Sequence, residues 1–266
     1  MKITMLGTGN ALVSEIFNTC FVISNGDKHL LVDCGGGNGI LTQLRRANLD
    51  WKDMRHIFIT HKHIDHLLGA IWMMRMITQF MAAGKYDGEA YIYSHQEVTE
   101  ILKSQAETLL QAKQAAFIGK RLHLVAINDG ETRNIMGHDI TFFDIHSTKA
   151  LQYGFRMNID NGRTLACLGD EPYNEACRKY VENADWLMHE AFCLNDDADI
   201  FKPYEKHHST ALDAGRDAEE LCVKNLVLYH TEEKTLATRK QRYTEEAQKT
   251  FHGNVFVPDD LDVIDL

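Results

Sequence analysis

Four side chains of the kinds that bind metals lie together between residues 61 and 66. The run reads H-K-H-I-D-H and follows the apolar residues 57–59, so His61, His63, Asp65 and His66 stand where a strand would end. Imidazole and carboxylate groups together suit Zn²⁺ and similar divalent metals. With 14 histidines in 266 residues some pairs fall close by accident, but four adjacent ligands indicate a metal site better than a polar loop.

Three more ligand-type side chains follow apolar runs elsewhere in the chain. His146, Asp170 and His230 come after residues 140–145, 165–169 and 226–229. Each alone could be a turn or cap residue, but a side chain at the carboxyl end of a buried strand is aimed from a rigid support. The full set would allow two metals, one on His61, His63 and His146 and one on Asp65, His66 and His230, with Asp170 bridging and a water or hydroxide between them.

Strands and helices must hold these residues, and their patterns interleave along the chain. Short apolar or alternating runs predict strands over 3–6, 20–24, 30–33, 57–60, 122–127, 132–135, 140–145, 153–159, 163–168, 186–189 and 226–229. Longer patterns predict helices over 39–47, 67–81, 98–116, 174–183, 211–222 and 237–250. Two sheets with helices packed outside, a layered α/β arrangement, accommodate this order. Only three prolines occur and no Ser/Gly-rich linker interrupts the chain, so we predict one domain over 1–266.

Composition limits the partners and the compartment. The 38 acidic and 28 basic residues give a formal net charge of −10, and no long Lys/Arg run offers phosphate contacts along a nucleic acid. No stretch approaches the roughly 18 apolar residues of a membrane span, and the start has no signal-peptide pattern, so we expect a cytoplasmic protein. Six widely spaced cysteines without a C-x-x-C pair fit reduced thiols in that compartment.

The order of these motifs resembles the metallo-β-lactamase fold superfamily. The resemblance rests on Leu6–Gly9, Leu31–Gly35, the run 61–66, His146, Gly169–Asp170, His189–Ala191, His208–Thr210 and His230. It is most similar to the ribonuclease Z-like branch, which contains tRNA 3′-processing endonucleases and related phosphodiesterases. The resemblance implies a four-layer αββα sandwich with a dimetal site at one edge between the sheets. It also implies two divalent metal ions, with Zn as the first choice and Mn or Fe as alternatives, and it leaves a homodimer open.

The same resemblance implies roles for side chains that do not bind metal. His208 is similar to the proton donor of the H-S-T motif, oriented by an acidic neighbour such as Asp65 or Glu190. A simple capping-region histidine is the alternative for His208. Ser209 or Thr210 is a predicted N-cap for the helix that follows. Asp170 at the bridge and the missing signal peptide argue against the secreted β-lactamases of this superfamily.

The chain departs from tRNA processing in two places. Ribonuclease Z enzymes carry an arm that grips tRNA between the positions matching His146 and Asp170, whereas only 23 residues separate those positions here. Glu171 stands where that group has threonine, and an extra acid would repel a polyanion. We therefore predict a dinuclear metal-dependent hydrolase acting on a small anionic phosphodiester, such as a cyclic nucleotide or cyclic phosphate. The alternatives are a tRNA 3′ endonuclease, a lactone or thioester hydrolase, and a metal-binding protein without turnover.

Some side chains near these motifs have no assigned role. Lys149 could meet a substrate phosphate or be a solvated loop lysine, and His207 is expected at the surface. The methionines at 73, 74, 76 and 81 fit a helix core better than a substrate pocket. The glycine-rich run 35–39 lacks the spacing of a nucleotide-binding loop, so we expect it to allow close backbone approach beside the metal site.

Overall fold

Two seven-stranded sheets pack face to face in the computed structural model, which describes all 266 residues. The first sheet consists, in spatial order, of β14 (Val263–Asp265), β1 (Lys2–Gly7), β2 (Cys20–Asn25), β3 (Lys28–Val32), β4 (His56–Phe58), β5 (Ala90–Ser94) and β6 (Leu122–Ala126). The second consists of β13 (Asn254–Phe256), β12 (Asn225–Tyr229), β11 (Trp186–Glu190), β10 (Thr164–Cys167), β9 (Tyr153–Asn158), β8 (His138–Asp144) and β7 (Thr132–Ile135).

Helices cover the outer faces of both sheets. They are α1 (Gly39–Arg46), α2 (Ile64–Ala82), α3 (Gln96–Leu109), α4 (Ala112–Ala115), α5 (Arg178–Val181), α6 (Ala198–Phe201), α7 (Ala211–Glu220) and α8 (Arg239–Ala247). Short 3₁₀ turns occupy Trp51–Asp53, Asp160–Gly162, Glu175–Cys177, Asn195–Asp197 and Tyr204–Lys206. None of the helices is both long and apolar enough to cross a membrane.

Strand residues alternate between two cores, which explains their continuous apolar runs. In β3, Leu30 and Val32 face the core between the sheets, while Leu31 packs against the helices outside. A strand buried on both faces needs apolar residues at every position. Three methionines of α2, Met73, Met74 and Met81, belong to the outer core, as the helix-core interpretation predicted, whereas Met76 is only half-buried. The resulting layers are the predicted αββα sandwich.

Parallel pairing collects the functional side chains at one edge. Strands β3 to β6 pair in parallel, and so do β10 to β13. The carboxyl ends of parallel strands meet at the same edge of a sheet. Asp33 and His61 leave the first sheet there, while Asp170, Glu190 and His230 lie at the matching ends of β10, β11 and β12.

The elements differ from the sequence prediction in a few places. Strands β5, β13 and β14 were not predicted, because three to five residues give too short a pattern beside longer helical ones. The helix predicted over 98–116 ends at Leu109, since Leu110 adopts an extended backbone and the chain restarts as α4. The helix predicted over 174–183 is a 3₁₀ turn followed by one helical turn. Helix α2 begins at Ile64 rather than at residue 67.

Candidate metal centre

Six of the predicted ligands lie in two groups of three. His61, His63 and Asp170 form one group, and Asp65, His66 and His230 form the other. Within each group the candidate ligand atoms all lie within 4.8 Å of one another.

Asp170 lies between the two groups. Its Oδ2 is 3.5 Å from His61 Nε2, 3.5 Å from His66 Nε2 and 3.6 Å from His230 Nε2. One carboxylate oxygen thus faces histidines of both groups. This is the position that a bridging carboxylate needs, as was predicted for Asp170.

Helix α2 supplies two of the ligands from its first turn. His63 is the N-cap with an extended backbone, and the helix starts at Ile64. Asp65 and His66 are therefore helical residues rather than loop residues. The carboxylate of Asp65 also lies near the positive end of the helix dipole, which favours its charged form.

Buried polar atoms without partners show where metal ions fit. His61 Nε2, His66 Nε2 and Asp170 Oδ1 are buried and have no hydrogen-bond partner. A buried polar atom left unpaired costs free energy, so such atoms are rare in folded proteins. Imidazole nitrogens and carboxylate oxygens in groups of three are donor sets for Zn²⁺ and related ions. The residues present therefore fit one divalent ion at each group.

Neighbouring side chains fix which nitrogen of each histidine faces the centre. Thr60 Oγ1 donates to Asp33 at 2.8 Å, so it accepts from His61 Nδ1 at 2.9 Å. In the same way Thr19 Oγ1 donates to the Gly9 carbonyl at 3.0 Å and accepts from His230 Nδ1 at 2.9 Å. With the ring proton on Nδ1, the Nε2 lone pair of each histidine remains available to a metal.

Asp33 orients the third histidine. Its Oδ2 accepts from His66 Nδ1 at 2.7 Å, and its Oδ1 accepts from the backbone N–H of Thr60 at 2.8 Å. Sequence reasoning placed Asp33 in a strand-end motif but gave it no role at the centre. The signal that it offered was a carboxylate directly after a buried strand, the same signal that identified Asp170.

Burial and charge set the protonation of the ligands. Burial lowers the pKa of His61 well below its ordinary value and that of His230 to about 3, although Asp170 raises both. Burial would also lower the pKa of His66, but Asp65 and other carboxylates raise it well above the ordinary value. For Asp170, burial would raise the pKa, yet the surrounding histidines, His61 first, hold it well below the usual range. These directions favour neutral His61 and His230 and a charged Asp170, the forms that bind metal.

His208 and Glu190 lie beside the second group. His208 Nδ1 is 3.6 Å from Glu190 Oε2, and the two imidazoles of His208 and His230 are 5.4 Å apart. The ring of His208 stacks on Phe192 at 4.5 Å with an interplanar angle of 2°. Glu190 is fully buried and also accepts the backbone N–H of Ser209. Phe192 was not anticipated from the sequence, since a stacking partner leaves no motif.

The contacts distinguish between the two acids considered for His208. Glu190 lies against it, whereas Asp65 Oδ2 is directed to His66 Nε2 at 3.4 Å. The predicted cap is also present. Thr210 caps α7 and forms a capping box with Asp213, which fixes the backbone just after His208.

His146 does not join either group of ligands. Its N–H donates to Asp144 Oδ1 at 2.7 Å, its backbone is left-handed with φ of 58°, and its side chain is 48% exposed. In this tight turn His146 Nδ1 lies 4.0 Å from Asp144 Oδ2, and neither ring nitrogen belongs to a ligand group. The structure therefore places six of the seven predicted ligands together, and ligation by His146 stays a prediction.

Comparison with known proteins assigns the chain to a family. The family model described as Anti-Pycsar protein Apyc1 matches residues 1–246. The chain belongs to this family.

Ribonuclease Z enzymes are similar to this Apyc1-family chain over its full length. The enzyme of Thermococcus sibiricus is 24% identical, with 100% of this chain and 96% of that protein covered. The enzyme of Archaeoglobus fulgidus is also 24% identical, with 97% and 95% covered.

Solved structures share the fold. The metallo-β-lactamase fold protein YhfI from Bacillus subtilis superposes with a TM-score of 0.78 at 23% identity, covering 99% of this chain and 98% of that one. The short form of human tRNase Z gives a TM-score of 0.76 at 22% identity, with 100% and 99% covered. A diphosphatase from the PhnP family gives 0.75 at 17% identity, with 100% and 97% covered. The predicted superfamily and fold are confirmed, and the Apyc1-family chain is a metal-dependent hydrolase of the metallo-β-lactamase superfamily.

A small cavity opens beside the proton-donor candidate of this Apyc1-family chain. Its volume is about 240 Å³, and its walls are His146, Thr148, Glu171, Pro172, Tyr173, Asn174, Tyr204, His207 and His208. His207 is exposed, as expected, and its Nδ1 lies 3.0 Å from Thr148 Oγ1. Histidine, carboxylate and hydroxyl groups thus surround a space of limited size next to the candidate metal centre.

Proposed function

We propose that this chain hydrolyses a small anionic phosphodiester, with a cyclic nucleotide or cyclic phosphate as the preferred kind. The observation that carries the proposal is the cavity beside His208. At about 240 Å³ it lies below the roughly 300 Å³ at which pockets for drug-sized ligands begin. It has room for a compact substrate beside His208.

Different residues of the chain would bind the metals, donate the proton and orient the proton donor. Six grouped side chains would hold two divalent ions: His61, His63, Asp65, His66, Asp170 and His230. Such ions would activate water and neutralise charge on the phosphate. His208 would give a proton to the leaving oxygen as the bond from phosphorus to that oxygen breaks. Glu190, at 3.6 Å from His208 Nδ1, would hold the ring in the orientation for that transfer.

Several observations weigh against precursor tRNA. Strands β9 and β10 are joined by the three-residue turn Asp160–Gly162, which leaves no arm between them. The alignment with the Thermococcus enzyme runs over 315 positions although this chain has 266 residues, so that relative carries insertions that this chain lacks. The net charge of −10 also opposes a polyanion. The name ribonuclease Z of the relatives keeps tRNA 3′ cleavage as the second candidate. We carry the anti-Pycsar role named by the family description over to this chain as part of the proposal.

A substrate panel tests the proposal directly. Purified protein loaded with Zn²⁺, Mn²⁺ or Fe²⁺ would be assayed with 2′,3′- and 3′,5′-cyclic mononucleotides, a linear activated phosphodiester, precursor tRNA, a lactone and a thioester. We expect the highest kcat/KM for a cyclic mononucleotide, and loss of that activity in Asp65→Ala and after chelation. A higher kcat/KM for precursor tRNA, for the lactone or for the thioester would refute the proposal. Two bound metals without turnover of any substrate would indicate a metal-binding protein instead.

A further inference from the structure

The loop after His146 is held by a buried carboxylate. Glu171 is 4% exposed, and its Oε1 accepts the hydroxyl of Ser147 at 2.7 Å while its Oε2 accepts the N–H of Thr148 at 3.1 Å. The Ser147 hydroxyl accepts in turn from the N–H groups of Lys149 and Ala150, both at 3.3 Å. One side chain therefore fixes the turn 147–150 from below.

The same carboxylate positions a cation beside His208. Lys149 Nζ lies 3.6 Å from Glu171 Oε1 and 3.3 Å from His208 Nε2, and the lysine side chain is 23% exposed. The ammonium thus stands between a buried acid and Nε2 of His208, two residues that line the cavity. Because the Lys149 side chain is partly exposed, its ammonium can contact a ligand, while the ion pair with Glu171 holds it close to His208.

This arrangement gives Glu171 a different role from the one suggested by the sequence, which was to repel a polyanionic substrate. Its charge is matched by one ammonium and two hydrogen-bond donors, so both carboxylate oxygens are engaged by the turn 147–150 although the residue lines the cavity. A threonine, the residue expected from the resemblance, has one hydroxyl on a shorter side chain and cannot reach three partners. The acid and the lysine therefore form a pair that a threonine could not support.

We propose that Lys149 binds a non-bridging oxygen of the substrate phosphate and that Glu171 is the residue that positions it. This inference rests on the proposed phosphodiesterase function. A phosphate anion is a stronger acceptor for the ammonium than a neutral imidazole nitrogen. Its arrival draws Lys149 away from His208 Nε2, and that nitrogen can then take up a proton from solvent and give it to the leaving oxygen as the bond to phosphorus breaks. The pair thereby selects anionic phosphodiesters over neutral esters.

Steady-state kinetics of Lys149→Met on two substrates test the selection. On the best phosphodiester of the panel we expect KM to rise about tenfold to a hundredfold, the range for losing a hydrogen bond to a charged group, with a smaller change in kcat. On a neutral ester we expect at most a few-fold change. Lys149→Arg should recover part of the phosphodiester KM because it keeps the charge. Lys103→Met, an exposed lysine of α3 without an ion pair, is the matched control for net charge.

Glu171→Thr tests the positioning role with a readout other than turnover. We expect amide hydrogen exchange in the segment 147–150 to become about tenfold faster or more, since the turn loses its charged acceptor. The KM for the phosphodiester should rise as in Lys149→Met, and the double variant should be no worse than Lys149→Met alone, because both changes remove one interaction. Metal content should stay at the wild-type value.

The outcomes separate this inference from the function on which it rests. Wild-type protein without phosphodiester hydrolysis would refute the proposed function, and the phosphate contact with it. Active wild-type protein with an unchanged KM in Lys149→Met, or with equal losses on charged and neutral substrates, would overturn the phosphate contact alone. Unchanged exchange in Glu171→Thr would overturn the positioning role.

Discussion

Replacing Asp33 by asparagine should weaken the second metal group without touching a ligand. Asp33 is 3% exposed and accepts three hydrogen bonds, from His66 Nδ1 at 2.7 Å and from the N–H and hydroxyl of Thr60 at 2.8 Å each. An asparagine has the same shape but only one acceptor oxygen. If that oxygen keeps the Thr60 N–H, the amide NH₂ faces His66 Nδ1.

The consequence follows from the chemistry of the ring. A donor opposite Nδ1 makes that nitrogen the acceptor, so the proton of neutral His66 moves to Nε2. Nε2 is the atom that lies 3.5 Å from Asp170 and 3.4 Å from Asp65, and once protonated it cannot bind a metal. Loss of such an orienting carboxylate costs about tenfold to a hundredfold in metal affinity, or about 1.4–2.8 kcal/mol.

Metal binding measured at controlled free Zn²⁺ provides the assay. We expect Asp33→Asn to bind the ion of the second group about tenfold to a hundredfold more weakly. The first group should weaken as well, because the amide NH₂ also replaces the oxygen that accepts the Thr60 hydroxyl, and that hydroxyl orients His61. Asp27→Asn removes the same charge in an exposed turn between β2 and β3 and should bind both ions normally. Two ions bound by Asp33→Asn with unchanged affinities would refute the claim that Asp33 sets the tautomer of His66.

Three further predictions concern the proton donor, the metals and pH. His208→Ala should lower kcat on unactivated phosphodiesters by about 10²–10⁴-fold with metal content unchanged, and an equal rate would exclude the proton-donor role. Chelation should lower the Tm, and restored Zn²⁺ should raise it in proportion to the logarithm of its free concentration. A Tm that does not change with metal concentration would contradict the assignment of the two ligand groups. Nearby carboxylates raise the pKa of His66 in the metal-free folded protein. The folded state therefore keeps a proton on His66 that the unfolded chain loses above about pH 6.5. The free energy of unfolding of metal-free protein should therefore fall as pH rises above that value, and urea titrations at several pH values that show a rise would contradict this sign.

The ligands could be predicted from the sequence because each one sits at an element boundary. His61 follows β4, Asp170 follows β10 and His230 follows β12. The end of a buried strand can be predicted from the sequence because its apolar run stops there. The parallel order of these strands then brings the ends to one edge, so local patterns were sufficient to group six ligands. His146 has the same signature, but a local turn with Asp144 decides where its ring points. The alternation of apolar residues within a strand does not predict the direction of a side chain that follows the strand.

The contacts that tune the site could not be predicted, since they join residues that are far apart in the chain and have ordinary types. Thr19 meets His230 across 211 positions, and Lys149 meets His208 across 59. The Thr19 hydroxyl determines the tautomer of His230 only because it donates its own proton to the Gly9 carbonyl. It must then accept from His230 Nδ1, which makes the histidine the donor. The sequence thus specifies which atoms can bind a metal, whereas the packing of the two sheets specifies which nitrogen of each ring does so. For this reason substitutions at residues without any motif, such as Asp33 and Thr19, test the site more sharply than removal of another ligand.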